Sequence, residues 1–385
     1  MEEISTLKKN KNLLLIGLVN QDEAFLGETQ HYNRLHKYLN KNISGLVYSI
    51  SISNNKKDDE IDYYVKYPSN TLIRLLYWNF YITIKSIFLL IFKDVGMIYM
   101  RFNSNQIILP MLLITFKIKY ALEINSIVEK KNKYLMKLHK KIMSNSKFII
   151  GAPGYMNYLH KEFDVGRDKL KSISLGYNFK QAKIYNPKEI AEKLNLNPDT
   201  LYYVFIGNIQ AYQGLSYIIK SIGSAKKVVP DDMRFLIIGD GPEKENLINL
   251  VSEYSLEGYF EFLTRKSKLE LDEYLSLKSI GLSTFSPNRG LHRTISGLKT
   301  FDYLSHKMPI LTSIMDEKAR MIEDDKVGWV IESFENHDVV NLIMKSYNQY
   351  NEMKKNVNKK YYNYSKKFTW NNRFHEIKKF ILKEI

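Results

Sequence analysis

Two successive alternations of short apolar strand and amphipathic helix, separated by a polar stretch, predict an α/β chain of two doubly wound, Rossmann-like domains. Three observations carry this. The strand candidates are short, continuous apolar runs, as parallel strands buried on both faces require. Most of these runs give way to Gly, Ser, Asn or Pro and lead into segments of helical length. A chain of 385 residues, 44% of them hydrophobic, is also long enough to bury two cores. In such a fold ligands sit beyond the carboxyl ends of the strands, in a cleft faced by both domains.

In the first half, Leu13–Val19 is the opening strand, followed by a loop with Gly27 and Glu28 and a helix carrying His31, Leu35 and Leu39. Further strands are expected at Gly45–Ile50, Val95–Arg101, Tyr120–Asn125, Phe148–Pro153 and Leu170–Leu175, with an apolar helix over Ile107–Phe116. Asn54–Glu60 is a solvated loop, and its adjacent aspartates do not make a metal site. The most apolar stretch, Leu75–Phe92, holds Lys85 near its middle and is flanked by Arg74 and Lys93. Charge inside so short a run argues against a membrane span. It is expected to be a buried helix. The second reading is an interfacial helix on an anionic membrane surface, because Trp78, Tyr81 and Phe88 stand among basic residues.

Asn178 to Asp199 is polar, contains Asn186-Pro187 and Asn197-Pro198, and is the expected linker. The domains are accordingly placed at residues 1–185 and 186–365. Residues 366–385 form a C-terminal helix packing back toward the first domain through Trp370 and Phe374, which are spaced i, i+4. The second half has strands at Tyr202–Gly207, Met233–Gly239, Tyr259–Leu263, Ile280–Thr284 and Pro309–Thr312, with helices at Gly214–Ile222 and Glu243–Tyr254. From Asn341 onward the chain is helical, and Lys354–Lys360 is a solvated face.

The net charge of +16 attracts phosphorylated ligands or anionic lipid. Nucleic acid is not expected, since zinc-finger spacing, RNP-like motifs and an Arg-rich arm are missing from the sequence. The lack of cysteine excludes disulfides and thiolate metal ligands. Met1-Glu2-Glu3-Ile4 does not open a signal peptide, so a cytoplasmic protein is expected, with peripheral attachment to the inner face of the membrane as a variant.

The stretch with most chemistry is Ser296-Gly297-Leu298-Lys299-Thr300-Phe301-Asp302-Tyr303-Leu304. Ser296 is a good N-cap, and Leu298, Phe301 and Leu304 give the following helix its apolar stripe. Gly297 admits close approach to the first turn, whose unpaired N–H groups suit an anion such as a diphosphate. Lys299 adds a full charge, and Asp302 can accept hydrogen bonds from neighbouring hydroxyls. The plain reading is a capped helix with Lys299 and Asp302 as an exposed i, i+3 pair.

With Gly207 and Tyr212-Gln213-Gly214, then Ile238-Gly239-Asp240-Gly241-Pro242, then Ser296–Tyr303 and Pro309, the chain resembles the retaining GT-B glycosyltransferases of family four, glycosyl transferases group 1. Arg101 and Leu122-Glu123-Ile124-Asn125 resemble the same group in the first half. The resemblance implies a GT-B fold with an N-terminal acceptor domain and a C-terminal nucleotide-sugar domain. It implies a metal-independent hexosyltransferase without a cofactor. The donor would be a UDP- or GDP-linked sugar, and the acceptor a polyprenyl-linked glycan or a surface polysaccharide such as capsule or lipopolysaccharide.

By the same resemblance the donor is held by Gly207, Asn208, Gln213, Ser296, Gly297, Leu298, Lys299 and Asp302, while Arg265 and Arg293 are nearby cations suited to supply the charge that the family pattern has and Asn208 and Gln213 lack. Gly27 and Glu28 form the loop over donor phosphate or acceptor, and Asn125, Arg101 and Glu123 are the catalytic candidates, Glu123 more as an orienting group than as a base. His31 and His292 are the histidines near the expected cleft loops, and Gly239–Pro242 is chiefly a turn. The chain departs from the family pattern at Asn208 and Gln213, where cations are usual, at Thr294 and Asp302, where glutamates are usual, and at Asn125, where a histidine is common. Two other readings follow: a catalytically weakened GT-B protein acting as a partner in glycan assembly, and a basic nucleotide- or RNA-binding protein.

Overall fold

The computed structural model describes residues 11–20, 27–54, 62–66, 68–124, 132–151, 153–287 and 297–385. The chain divides into two compact units, Met1–Ser174 with Trp370–Ile385, and Leu175–Thr369.

The first unit runs β1 (Asn12–Asn20), α1 (Gly27–Asn42), β2 (Val47–Ile52), β3 (Tyr63–Val65), α2 (Thr71–Phe92), β4 (Val95–Arg101), α3 (Ile108–Thr115), β5 (Tyr120–Ile124), α4 (Lys133–Asn145), β6 (Ile149–Gly151), α5 (Pro153–Phe163) and β7 (Leu170–Ser172). Its strands form one parallel sheet in the order β3-β2-β1-β4-β5-β6-β7.

The second unit runs α6 (Pro187–Lys193), β8 (Leu201–Ile206), α7 (Leu215–Ser224), β9 (Met233–Ile238), α8 (Lys244–Glu253), β10 (Phe260–Leu263), α9 (Lys268–Leu275), β11 (Ser279–Ser283), α10 (Leu298–Ser305), β12 (Ile310–Ser313), α11 (Ala319–Asp324), β13 (Gly328–Ile331), α12 (Asn336–Asn348) and α13 (Tyr350–Lys367). Its parallel order is β10-β9-β8-β11-β12-β13. The last helix, α14 (Trp370–Leu382), belongs to the first unit. Both sheets therefore have the doubly wound order, which reverses between β1 and β4 and between β8 and β11.

β8 shows why these apolar runs become central strands. Every residue from Leu201 to Ile206 is buried. Tyr203 and Phe205 join the core with Ile218 and Ile343, while Tyr202, Val204 and Ile206 join the opposite core with Phe301 and Val357. Alternate side chains point to opposite faces, so helices on both sides demand apolar residues throughout.

Three expectations are corrected. Residues 178–199 are not a linker. Phe179, Ile190 and Ala191 are buried in the second unit, Asn186 accepts from the Lys188 N–H as the cap of α6, and Phe179 meets Phe301 edge-on at 6.1 Å. The first passage between units lies earlier, at Ser174–Leu175. The expected C-terminal helix of residues 366–385 begins only at Trp370, because α13 runs on to Lys367.

The third correction concerns α2. Trp78, Ile82 and Leu89 are buried, but Ile73, Leu76, Phe80, Ile84, Ile87, Phe88, Ile91 and Phe92 are exposed. Their spacing of three or four places them along one face. The apolar run is thus wider than the face the unit can cover.

Candidate functional site

The carboxyl ends of β8 and β11 mark the switch point of the second sheet, where doubly wound folds bind ligands. β8 ends at Gly207, whose φ of +126° suits glycine alone. The Gly239–Pro242 turn closes on it: a Cβ at Gly239 would lie 1.9 Å from the Gly207 carbonyl oxygen, and the Ile209 N–H donates to the Asp240 carbonyl at 2.9 Å. Gly239–Pro242 is therefore a packing turn. Asn208 is exposed, with its Oδ1 against Gly241.

The loops after β8 and β11 are fastened to each other. The Thr284 hydroxyl donates to the Gln213 carbonyl at 2.7 Å, and the Ser286 N–H donates to the Tyr212 carbonyl at 2.9 Å. Helix α10 begins at this edge. Its N-cap is Gly297 rather than the expected Ser296, and among the described residues no side-chain hydrogen bond caps it. Lys299 in its first turn donates to Gln213 Oε1 at 2.8 Å and lies 3.8 Å over the Phe205 ring. The structure thus brings together Gln213, Gly297, Leu298 and Lys299. A helix N-terminus beside an ammonium group has the charge and the N–H donors that suit an anion.

Asp302 does not pair with Lys299. It accepts from the Tyr177 hydroxyl, and Lys268 Nζ lies 3.8 Å from the same oxygen, Oδ1. Burial pushes the Asp302 carboxyl above its ordinary value, with Tyr177 and Lys268 pulling the other way. Behind it Asp272 joins Lys268 at 2.7 Å and His306 at 2.9 Å. Arg265 is exposed after the edge strand β10, on the order of 10 Å from β8 across two strand spacings. Arg293, Ser296, Thr294 and His292 lie outside the described residues, as do Asn125 and the side chain of Glu28; Gly27 opens α1.

In the first unit Arg101 and Glu123 are register partners on β4 and β5. Glu123 is buried and accepts from Arg373 at 2.6 Å and from Tyr99 at 3.0 Å, with His31 Nε2 at 3.5 Å. Arg373 also donates to His31 Nε2 at 3.2 Å and to the Ile173 and Ser174 carbonyls. Burial alone would raise the Glu123 carboxyl, but His31, Arg373 and Arg101 hold it down to about 2. Burial lowers His31 from 6.5 to about 4, against the pull of Glu123 and with help from Arg373 and Arg101. No local pattern marks Arg373 as a partner of Glu123, because α14 comes from the other end of the chain.

These shifts predict an acid-sensitive first unit. His31 binds a proton more tightly when unfolded, so its contribution is complete above pH 6.5 and is lost as pH falls toward 4. Glu123 then loses its contribution between 4.5 and about 2. Chemical denaturation between pH 7 and 5 should show stability falling by about 1.4 kcal/mol per unit below pH 6.5. His31→Gln should flatten that slope.

Residues 186–366 match the family model described as Glycosyl transferases group 1. Those residues are thus similar to the group 1 glycosyltransferases. The matched residues hold the whole β8–α10 site. The alpha-monoglucosyldiacylglycerol synthase of Acholeplasma laidlawii is 23% identical over 139 residues, 36% of this chain and 33% of that one. The chain thus matches about a third of the length of this curated relative. A glycosyltransferase from Rickettsia africae ESF-5 superposes at a TM-score of 0.74 and 16% identity, covering 98% of this chain and 100% of that one. HepE of Anabaena, solved in complex with UDP, superposes at 0.75 and 9% identity, covering 97% and 100%. At these identities the likeness establishes the fold, GT-B, for the matched residues and the companion unit.

Proposed function

We propose that this protein is a retaining glycosyltransferase that moves a sugar from a nucleotide diphosphate donor to a lipid-linked or surface glycan. The observation that carries this is the N-terminus of α10 with Lys299 beside it, at the sheet's switch point within the residues that match the group 1 family model. When the glycosidic bond to the donor breaks, negative charge gathers on the departing diphosphate. The α10 N–H groups and Lys299 are fixed in place to stabilise it without reorganisation. Asp302 accepts from the donor ribose. Gln213 supports Lys299 where the family pattern has a cation, so one ammonium group replaces two.

In the first unit, Arg101 and Asn125 are proposed to act near the reacting sugar, since Arg101 ends β4 and Asn125 follows in sequence on Ile124, the last residue of β5. Glu123, already bonded to Arg373 and Tyr99, anchors α14 and orients its surroundings. Thermal stabilisation by UDP-, GDP-, ADP- and CMP-sugars tests the reading. Selective stabilisation by one donor, lost in Asp302→Ala, supports it. No shift with any donor moves the protein to the role of a non-catalytic partner.

The exposed face of α2 supports peripheral attachment to a membrane. The helix is long and apolar enough to cross a bilayer, but Trp78, Ile82 and Leu89 are built into the core of the unit. A helix anchored on one side lies in the interface and does not span it. Lys85, 3.8 Å from the Tyr63 ring and 5.2 Å from that of Phe88, and exposed Lys93 supply positive charge along it. Sedimentation with anionic vesicles should show binding of the native protein. Ile84→Glu with Ile91→Glu should abolish it and leave stability within about 0.5 kcal/mol.

A further inference from the structure

We infer that Tyr177 is a positioning residue for the donor ribose: it holds the Asp302 carboxylate by one oxygen and joins ribose recognition to the two paired segments beside the passages between units. The inference rests on Asp302 as the ribose acceptor.

Four observations support it. Tyr177 donates its hydroxyl to Asp302 Oδ1, the oxygen that Lys268 also approaches, so both contacts fall on one side of the carboxylate. Neither contact uses Oδ2, so the carboxylate is fixed through one oxygen and the other is left to accept. The Tyr177 ring stacks on Phe301, the residue preceding Asp302, at 5.7 Å, so the hydroxyl is aimed by packing. Tyr177 also lies just beyond the first passage between the units, and its N–H donates to the Phe368 carbonyl at 2.7 Å, with a parallel bridge to Thr369 beside the second passage. Tyr177 thus connects the paired segments to the helix that carries Asp302, its backbone on one side and its hydroxyl on the other. An acceptor held in advance gives up less rotamer entropy when a ribose hydroxyl binds.

The test compares UDP and GDP with their 2′- and 3′-deoxyribose counterparts by calorimetry, on the full chain. The ribose preference is the ratio of the two affinities. Tyr177→Phe keeps the ring on Phe301 and removes only the donor. It should lower the ribose preference about tenfold, toward that of Asp302→Ala, as expected for a bond to a charged group. Lys268→Met, which removes the second contact on Oδ1, should lower it by a smaller factor. In the native protein, UDP should also slow amide exchange at residues 366–369, and in Tyr177→Phe it should not.

If Asp302→Ala loses ribose preference and Tyr177→Phe keeps it, Tyr177 is merely structural and the proposal fails. If Asp302→Ala keeps ribose preference, the reading of Asp302 as ribose acceptor fails first. If neither diphosphate binds the native protein, both fall together. A melting temperature for each variant separates loss of fold from loss of positioning.

Discussion

Arg373→Ala is expected to destabilise the first unit by about 3–5 kcal/mol, the range for breaking a buried ion pair from one side. Both partners of the Arg373–Glu123 pair are 2% exposed, so solvent cannot replace the lost guanidinium. Glu123 would keep Tyr99 and His31 as contacts and Arg101 as a nearby charge, with its own charge still buried. The Ile173 and Ser174 carbonyls, at the first passage between units, would lose their donor as well. A denaturation curve should therefore show an early transition, with α14 leaving α1. The double variant Arg373→Met, Glu123→Gln should recover most of the loss, because it removes the buried charge and keeps the volume. If Arg373→Ala costs less than about 1 kcal/mol, the pair behaves as a surface bridge and the anchoring role of Glu123 is wrong.

The second large effect is on the donor. Lys299→Met is expected to weaken nucleoside diphosphate binding about 10- to 100-fold, the worth of a hydrogen bond between charged groups. Methionine keeps an apolar stem over Phe205, so stability should move little. Binding of the bare nucleoside should be unchanged, since the ammonium group is assigned to phosphate alone. Calorimetric titration with UDP and with uridine separates the two. Equal loss for both would mean that Lys299 shapes the pocket and does not grip the diphosphate.

The sequence by itself marked the strands other than the short edge strands β3 and β13, because a parallel strand covered on both faces must be apolar at every position. Leu201–Ile206 could hardly be anything else. It also settled the turn at Gly239, since no other residue fits against the Gly207 carbonyl, and it pointed to α10 through the Leu298, Phe301, Leu304 stripe. Residues 178–199 misled because a short helix shows the core only two buried residues, Ile190 and Ala191, among polar ones.

What only the tertiary structure decided was pairing across long separations. Glu123 meets Arg373, 250 residues away, and Lys299 meets Gln213 across 86. Such partners follow from which strand lies beside which, and a local pattern carries no record of that. The same holds for α2: periodicity marks an apolar face, but whether another element covers it depends on what the rest of the chain has left to pack there. Here nothing among the described residues covers it, and the face from Ile73 to Phe92 is left to solvent.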